Sequence, residues 1–103
     1  MDDKKFICPI EFTLSVIGGK WKPLIIWRLL INGTLRYGQI KKSMNKITHK
    51  MLSQQLKELE ADGIINRNEF FEIPPRVEYS LTEKGITLIS ILRSMVDWGN
   101  QNM

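Results

Sequence analysis

Between Phe12 and Lys57 the chain carries nine Lys or Arg residues and not one Asp or Glu. Residues 1–11 sum to −1 and residues 58–103 to −4, so the net charge of +4 understates the field of the middle segment. Clustered cations displace the condensed counterions of a polyanion, which is the main sequence-independent source of affinity for nucleic acid. A solvated basic face would carry the same charge, so the elements that display it must decide between the two. Few other side chains offer chemistry. One cysteine, Cys8, and one histidine, His49, build neither an internal disulfide nor a structural zinc site. With no paired acids in the basic block, no set of nucleophile, base and orienting group can be assembled, and the reading excludes an enzyme. No catalytic residue, metal ligand or cofactor is assigned. Gly18-Gly19-Lys20 lacks the spacing and the following Ser/Thr of a phosphate-binding loop, and reads as a helix stop.

The elements that must position the cations follow from periodicity. At 103 residues the chain has room for a single domain, 1–103, with a modest core. No apolar run is long enough to cross a bilayer and Met1 to Phe6 is too polar for a signal peptide, so a cytoplasmic protein is expected. Pro9 suits the first turn of a short helix ended by Gly18-Gly19. Pro23 opens a second helix, apolar nearly all round from Leu24 to Ile31 and ended by Asn32-Gly33, which belongs at the centre of the core. Leu35 to Tyr37 can form a short strand and Tyr37 to Ser43 a brief helix with Ile40 and Met44 inward.

After a tight segment, Thr48 caps a fourth helix in which Leu52, Leu56 and Leu59 recur on one face up to Gly63. The opposite face holds Lys50, Gln54 and Lys57, with Ser53 at its edge and Thr48 and His49 on the first turn. Two short helices joined by a turn, over about 37–62, read as a helix-turn-helix whose second member can enter a major groove. Gln bonds bidentately to adenine, Lys reaches guanine or phosphate, and Ser and Thr serve either edge or backbone. An ordinary solvated face would mix Glu with Lys, which happens only from Lys57 to Asp62, so the pattern favours DNA.

Ile64-Ile65 and the alternating Val77, Tyr79 and Leu81 mark two strands of a β-hairpin wing over about 64–81. Arg67 and Arg76 near it, and Lys46 in the preceding turn, are candidates to hold flanking phosphates. Arg76 has an alternative as the structural partner of Glu78 or Glu69, and Phe70 and Phe71 read as packing within the wing. Thr82 caps a last helix, about 82–100. There Leu88, Leu92 and Gly99 form one stripe and Ile91, Met95 and Trp98 a neighbouring one. The first can pack on its own domain, leaving the second for another subunit. A two-fold dimer would offer two recognition helices roughly 34 Å apart to a pseudo-palindromic operator in double-stranded DNA. Trp21, Trp27 and Trp98 read as core rather than as a ligand pocket, so no small-molecule effector is identified.

Four stretches carry a family likeness: Cys-Pro-Ile-Glu at 8–11, Ile-Gly-Gly-Lys-Trp at 17–21, Met-Leu-Ser-Gln-Gln-Leu-Lys-Glu-Leu-Glu-Ala-Asp-Gly at 51–63, and Pro-Pro-Arg-Val-Glu-Tyr-Ser-Leu-Thr-Glu-Lys-Gly at 74–85. In this order they resemble the HxlR family of bacterial winged helix-turn-helix transcriptional regulators, over about residues 8–99. The resemblance implies an α+β, mostly helical fold with a two-stranded wing and a long C-terminal dimerisation helix. It also implies dimers that bind DNA to repress or activate nearby genes. Several members respond to oxidants or electrophiles through the cysteine matching Cys8, whereas others have no known signal.

Cys8 admits two readings on its own residues. Its place before Pro9, beside Lys4 and Lys5 in an N-terminal arm 1–8, could favour the thiolate, while Asp2, Asp3 and Glu11 oppose it. Alternatively it is a small apolar residue pinning the arm to a dimer interface. Without a second cysteine, any redox response requires an intersubunit disulfide, a mixed disulfide with a small thiol, or alkylation. The competing function is a winged helix repurposed for protein contacts, which would place acids or apolar residues on the exposed face of the fourth helix.

Overall fold

The computed structural model describes residues 8–103, and of the expected arm 1–8 only Cys8 falls among them; Asp2, Asp3, Lys4 and Lys5 lie outside the described residues. In chain order the elements are α1 (Pro9–Ile17), α2 (Lys22–Asn32), β1 (Leu35–Arg36), α3 (Tyr37–Ser43), α4 (His49–Ala61), β2 (Ile65–Phe70), β3 (Arg76–Leu81), α5 (Glu83–Ile86) and α6 (Ile89–Asn102). The fold is α+β and mostly helical, a winged helix-turn-helix in which the antiparallel strands follow the order β1-β3-β2. The wing hairpin pairs Ile65 with Leu81 through to Phe70 with Arg76. The short β1 adds a third strand by pairing Leu35 with Tyr79 and Arg36 with Glu78, which anchors the start of α3 to the wing.

The core is assembled from one face of each helix. Ile25, Ile26 and Leu29 of α2, Ile40 of α3 and Leu52, Leu56 and Leu59 of α4 are buried together with Met44, Ile47, Ile64, Ile65, Tyr79 and Leu92. Burying each such aliphatic side chain contributes about 1.5–3 kcal/mol, so this face and not helix propensity holds α4 in place. The expected all-round burial of α2 is not met within one chain, since Leu24 and Ile31 stay exposed.

Caps fix both ends of α4. Thr48 Oγ1 accepts a hydrogen bond from the Met51 N–H at 3.0 Å. At the other end Gly63 adopts φ +74°, a conformation that costs an L side chain energy but not glycine. It lets Ile64 N–H reach Leu59 O at 2.9 Å and Gly63 N–H reach Glu60 O at 3.0 Å. Those two bonds form a Schellman motif, closed by the buried pair Leu59 and Ile64. The chain is thereby turned from the helix directly into the wing.

The C-terminal segment departs from the single helix expected over about 82–100. It is broken at Thr87-Leu88, where Thr87 N–H bonds to Lys84 O and Leu88 N–H to Gly85 O. The cause is the tight seat of α5. Thr82 Oγ1 donates to Gly63 O at 2.6 Å and accepts from Gly85 N–H at 2.9 Å. Gly85 packs so close to the Ile64 backbone that a Cβ there would overlap the Ile64 carbonyl oxygen. Having been pinned to the end of α4, the chain must turn before α6 can run across α2. Among the described residues no helix is long and apolar enough to cross a membrane.

Candidate nucleic-acid interface

The outer face of α4 is built by subtraction: the leucines at 52, 56 and 59 take the inner face, so the residues between them must point away. His49, Lys50, Gln54 and Lys57 are exposed, Ser53 is half-buried at the edge, and the capping Thr48 is exposed at the start. Lys46, in the turn joining α3 to α4, is exposed on the same approach. From Thr48 to Lys57 the exposed face thus contains cations, amides and hydroxyls, and the first acid beside it is Glu58.

The helix-turn-helix is tied internally by a contact the sequence did not suggest. Tyr37 Oη lies 3.0 Å from His49 Nδ1 and 3.3 Å from His49 O, and the two rings stack at 5.9 Å between centroids. The first residue of α3 therefore holds the first residue of α4. Ser53 Oγ lies 3.5 Å from the same hydroxyl. Arg28 Nη2 donates to Ser43 O at 3.4 Å, joining α2 to the end of α3.

A second unforeseen contact lies at the other end of the helix. Lys22, the first residue of α2, is buried and places Nζ 2.6 Å from Glu58 Oε1. Gln54 Nε2 donates to the other oxygen, Glu58 Oε2, at 3.2 Å. The Lys22 ammonium, and after it the Gln54 amide, hold the Glu58 carboxyl below its ordinary range. Only the Gln54–Glu58 spacing of four was readable in the sequence. The lysine reaches the site through the tertiary fold.

The wing arginines sit beside acids. Arg67 Nη1 is 3.4 Å from Glu69 Oε1, and the Tyr79 hydroxyl, with Glu69, raises the guanidinium further above its already high value. Arg76 Nη2 is 3.3 Å from Glu72 Oε2, and its Nε is 3.1 Å from Glu78 Oε2 although that N–H is not aimed at the oxygen. Of the structural partners expected for Arg76, Glu78 is present, Glu69 instead pairs with Arg67, and Glu72 was not anticipated. The guanidinium also covers the Phe70 ring at 4.3 Å from its centroid. Phe70 packs in the wing as expected, but Phe71 does not: at 92% exposure it projects from the loop beyond β2, where no neighbouring layer covers it.

Cys8 occupies the N-cap of α1, half-buried, with its backbone N–H donating to Glu11 Oε1 at 3.3 Å. Of the stripe expected to pack on its own domain, Leu88 and Leu92 do so, whereas Gly99 near the end of α6 faces open space. Leu92 is buried, while Ile91, Met95 and Trp98 are 40%, 51% and 69% exposed. Trp21 and Trp27 pack against the core, but Trp98 does not join them, because it lies on the outward stripe near the end of α6. Among the described residues no group of His, Cys, Asp and Glu is arranged to hold a metal ion.

Comparison with known proteins agrees with this architecture. The model of the HxlR-like helix-turn-helix family matches residues 16–103. YdzF of Bacillus subtilis, an uncharacterised HTH-type transcriptional regulator, is 52% identical over 91 residues, spanning 88% of this chain and 84% of that one. The structure of the redox regulator HypR in its oxidised form superposes with a TM-score of 0.88 at 49% identity, covering 93% of this chain and 98% of that one. The reduced form of the transcriptional regulator YodB from B. subtilis gives a TM-score of 0.78 at 38% identity, covering 94% and 95%. On its fold, its helix-turn-helix and the length of these matches, the chain belongs to the HxlR-like helix-turn-helix family of transcriptional regulators.

Proposed function

We propose that this regulator acts as a cytoplasmic homodimer that binds a pseudo-palindromic operator in double-stranded DNA, with α4 of each subunit in a major groove. The observation that carries the reading is the outer face of α4 from Thr48 to Lys57, free of acids up to Glu58 and displayed on a helix whose other face is locked into the core. Gln54 reads a base edge, and Lys50, Lys57, Ser53, Thr48 and His49 share base and phosphate contacts. Lys46 and Arg67 hold flanking phosphates. Arg76, already flanked by Glu72 and Glu78, contributes less to DNA than to the wing. Dimerisation uses Ile91, Met95 and Trp98, and no catalytic activity or cofactor is involved.

The signal enters through Cys8. This part of the reading is supported by the position of the thiol at the N-cap of α1 and by the likeness to solved structures described as redox regulators. Lacking a second cysteine, the response is intermolecular: a disulfide with the second subunit, a mixed disulfide or an alkylation. The test is binding of the purified protein to fragments of its own genomic neighbourhood over a salt series, reduced and then treated with diamide. A steep salt slope with one preferred fragment supports the regulator, and a diamide effect abolished in Cys8→Ser supports the switch. Specific binding indifferent to diamide leaves Cys8 structural. No preferred fragment at any salt would refute the DNA-binding reading.

A further inference from the structure

The Lys22–Glu58–Gln54 chain joins a buried cation to the middle of the exposed face of α4, and neither end of it is explained by packing alone. Lys22 is 9% exposed and takes its charge into the domain, which is costly unless an anion meets it with good geometry. Glu58 meets it at 2.6 Å while keeping its own side chain 44% exposed. A carboxylate on the surface that approaches DNA would repel phosphate, but the ammonium at contact distance offsets its charge. What the pair leaves free is the second carboxylate oxygen, and that oxygen accepts from Gln54 Nε2 at 3.2 Å.

A carboxamide can turn over about its last torsion, exchanging donor and acceptor, unless something fixes it. Glu58 is acceptor-only when ionised, so it takes the nitrogen and refuses the oxygen. With one N–H committed to Glu58, Gln54 keeps Oε1 and its second N–H. That acceptor and donor are the pair that bonds adenine at N6–H and N7 in the major groove. A carboxylate that is itself held from behind makes a firmer template than a freely rotating one.

We propose that Lys22, which lies outside the helix-turn-helix, is a specificity-determining positioning residue: it holds Glu58, and Glu58 fixes the Gln54 amide in the orientation that reads adenine. The inference rests on the proposed placement of α4 in the major groove. The lysine contributes little to the total affinity and mainly to the choice of base at one position of each half-site. Its location at the start of α2, directly after the turn that follows α1, also places the base-reading amide two contacts away from the N-terminal half of the chain.

The experiment is selection of operators from a randomised duplex library by the full chain, followed by measured affinities of the wild type and of Gln54→Ala, Lys22→Met, Glu58→Ala and Lys22→Met/Gln54→Ala for the selected operator and its single-base variants. Gln54→Ala should lose roughly tenfold preference for A·T at one position of each half-site. Lys22→Met and Glu58→Ala should lose most of that preference at the same position and keep the others. The double variant should be no less selective there than Gln54→Ala alone, because both changes remove one interaction. Lys22→Met replaces a buried charge with an apolar chain of similar length, and should it fail to fold, Glu58→Ala on the helix surface carries the same expectation. Full preference in both Lys22→Met and Glu58→Ala, or a uniform loss across all bases, would overturn the proposal while leaving DNA binding intact. A Gln54→Ala protein with unchanged selectivity would overturn it as well, since nothing would then need positioning. A wild type that enriches no sequence would instead bring down the DNA-binding reading with it.

Discussion

The Tyr37 hydroxyl lies 3.0 Å from His49 Nδ1, so the opening residues of the two helices of the helix-turn-helix are joined by side chains as well as by the turn between them. The same oxygen is 3.3 Å from His49 O and 3.5 Å from Ser53 Oγ. Tyr37→Phe keeps the ring stacked on His49 and removes every one of these bonds. The loss should be about 1 kcal/mol of stability, the net worth of a part-buried hydrogen bond. Urea unfolding checks the stability. Binding to an operator should weaken for all sequences alike, because α4 is loosened as a body and no single base contact is lost.

Gly85 is where α5 meets the end of α4, and its lack of a side chain is a packing requirement rather than a conformational one. A Cβ would overlap the Ile64 carbonyl oxygen and press on Leu81. Gly85→Ala should therefore destabilise by about 1–3 kcal/mol through forced displacement of backbone. For a domain of this size that lowers the thermal midpoint by about 4–8 °C per kcal/mol, readable by circular dichroism. An unchanged midpoint would mean that α5 is free to move away from Ile64 and that the break before α6 has another origin.

Much of this arrangement was legible before the structure, and the reason is local chemistry. Thr48, the leucines at 52, 56 and 59, and Gly63 define α4 by capping and period alone, and the structure begins and ends the helix within a residue or two of them. The two stripes of the C-terminal helix likewise separate into a buried Leu92 and an exposed Met95. What could not be read depends on distant parts of the chain. Lys22 reads in the sequence as one more cation of the basic block, and only the tertiary fold, which brings the start of α2 beside Glu58, turns it inward. The break at Thr87-Leu88 follows from the approach of Gly85 to Ile64, which no helical periodicity encodes. Phe71 looked like wing packing because its type is apolar. Nothing in the local pattern marked that the loop would carry it away from the sheet.

The depressed Glu58 carboxyl makes an acid-limb prediction. Its folded-state value lies below its unfolded value, chiefly through Lys22 and then Gln54, so the interaction adds stability above the ordinary glutamate range and loses it as pH falls through the depressed value. Unfolding free energies measured from pH 7 down to pH 3 should therefore fall for the wild type on the acid side of roughly pH 4.3. In Lys22→Met the larger part of that fall, the part due to Lys22, should disappear while the Gln54 part remains, giving a flatter acid limb. Because Glu58 is well exposed, the difference is one of slope more than of size. Parallel acid limbs in the two proteins would show that the ion pair is screened away in solution.

The outward stripe of α6 calls for a test of assembly. Ile91 and Met95 line one apolar groove with Pro9, Ile10 and Leu14 of α1, and Trp98 extends the same face along α6. A contiguous apolar surface of this kind on so small a domain is unfavourable in water unless a second subunit covers it. Met95→Glu puts a charge in the middle of the groove while costing the single chain little, since Met95 is already 51% exposed. The variant should keep its helical circular dichroism and sediment as a monomer, and the wild type should sediment as the proposed dimer. Its operator affinity should drop by about 100-fold or more, because two half-sites held together by one dimer bind far more tightly than two independent chains. Mutual dependence of the two effects is the point of the measurement: a monomeric Met95→Glu protein with full operator affinity would mean that one recognition helix suffices, and a wild type that is monomeric while bound to its operator would refute the two-fold arrangement.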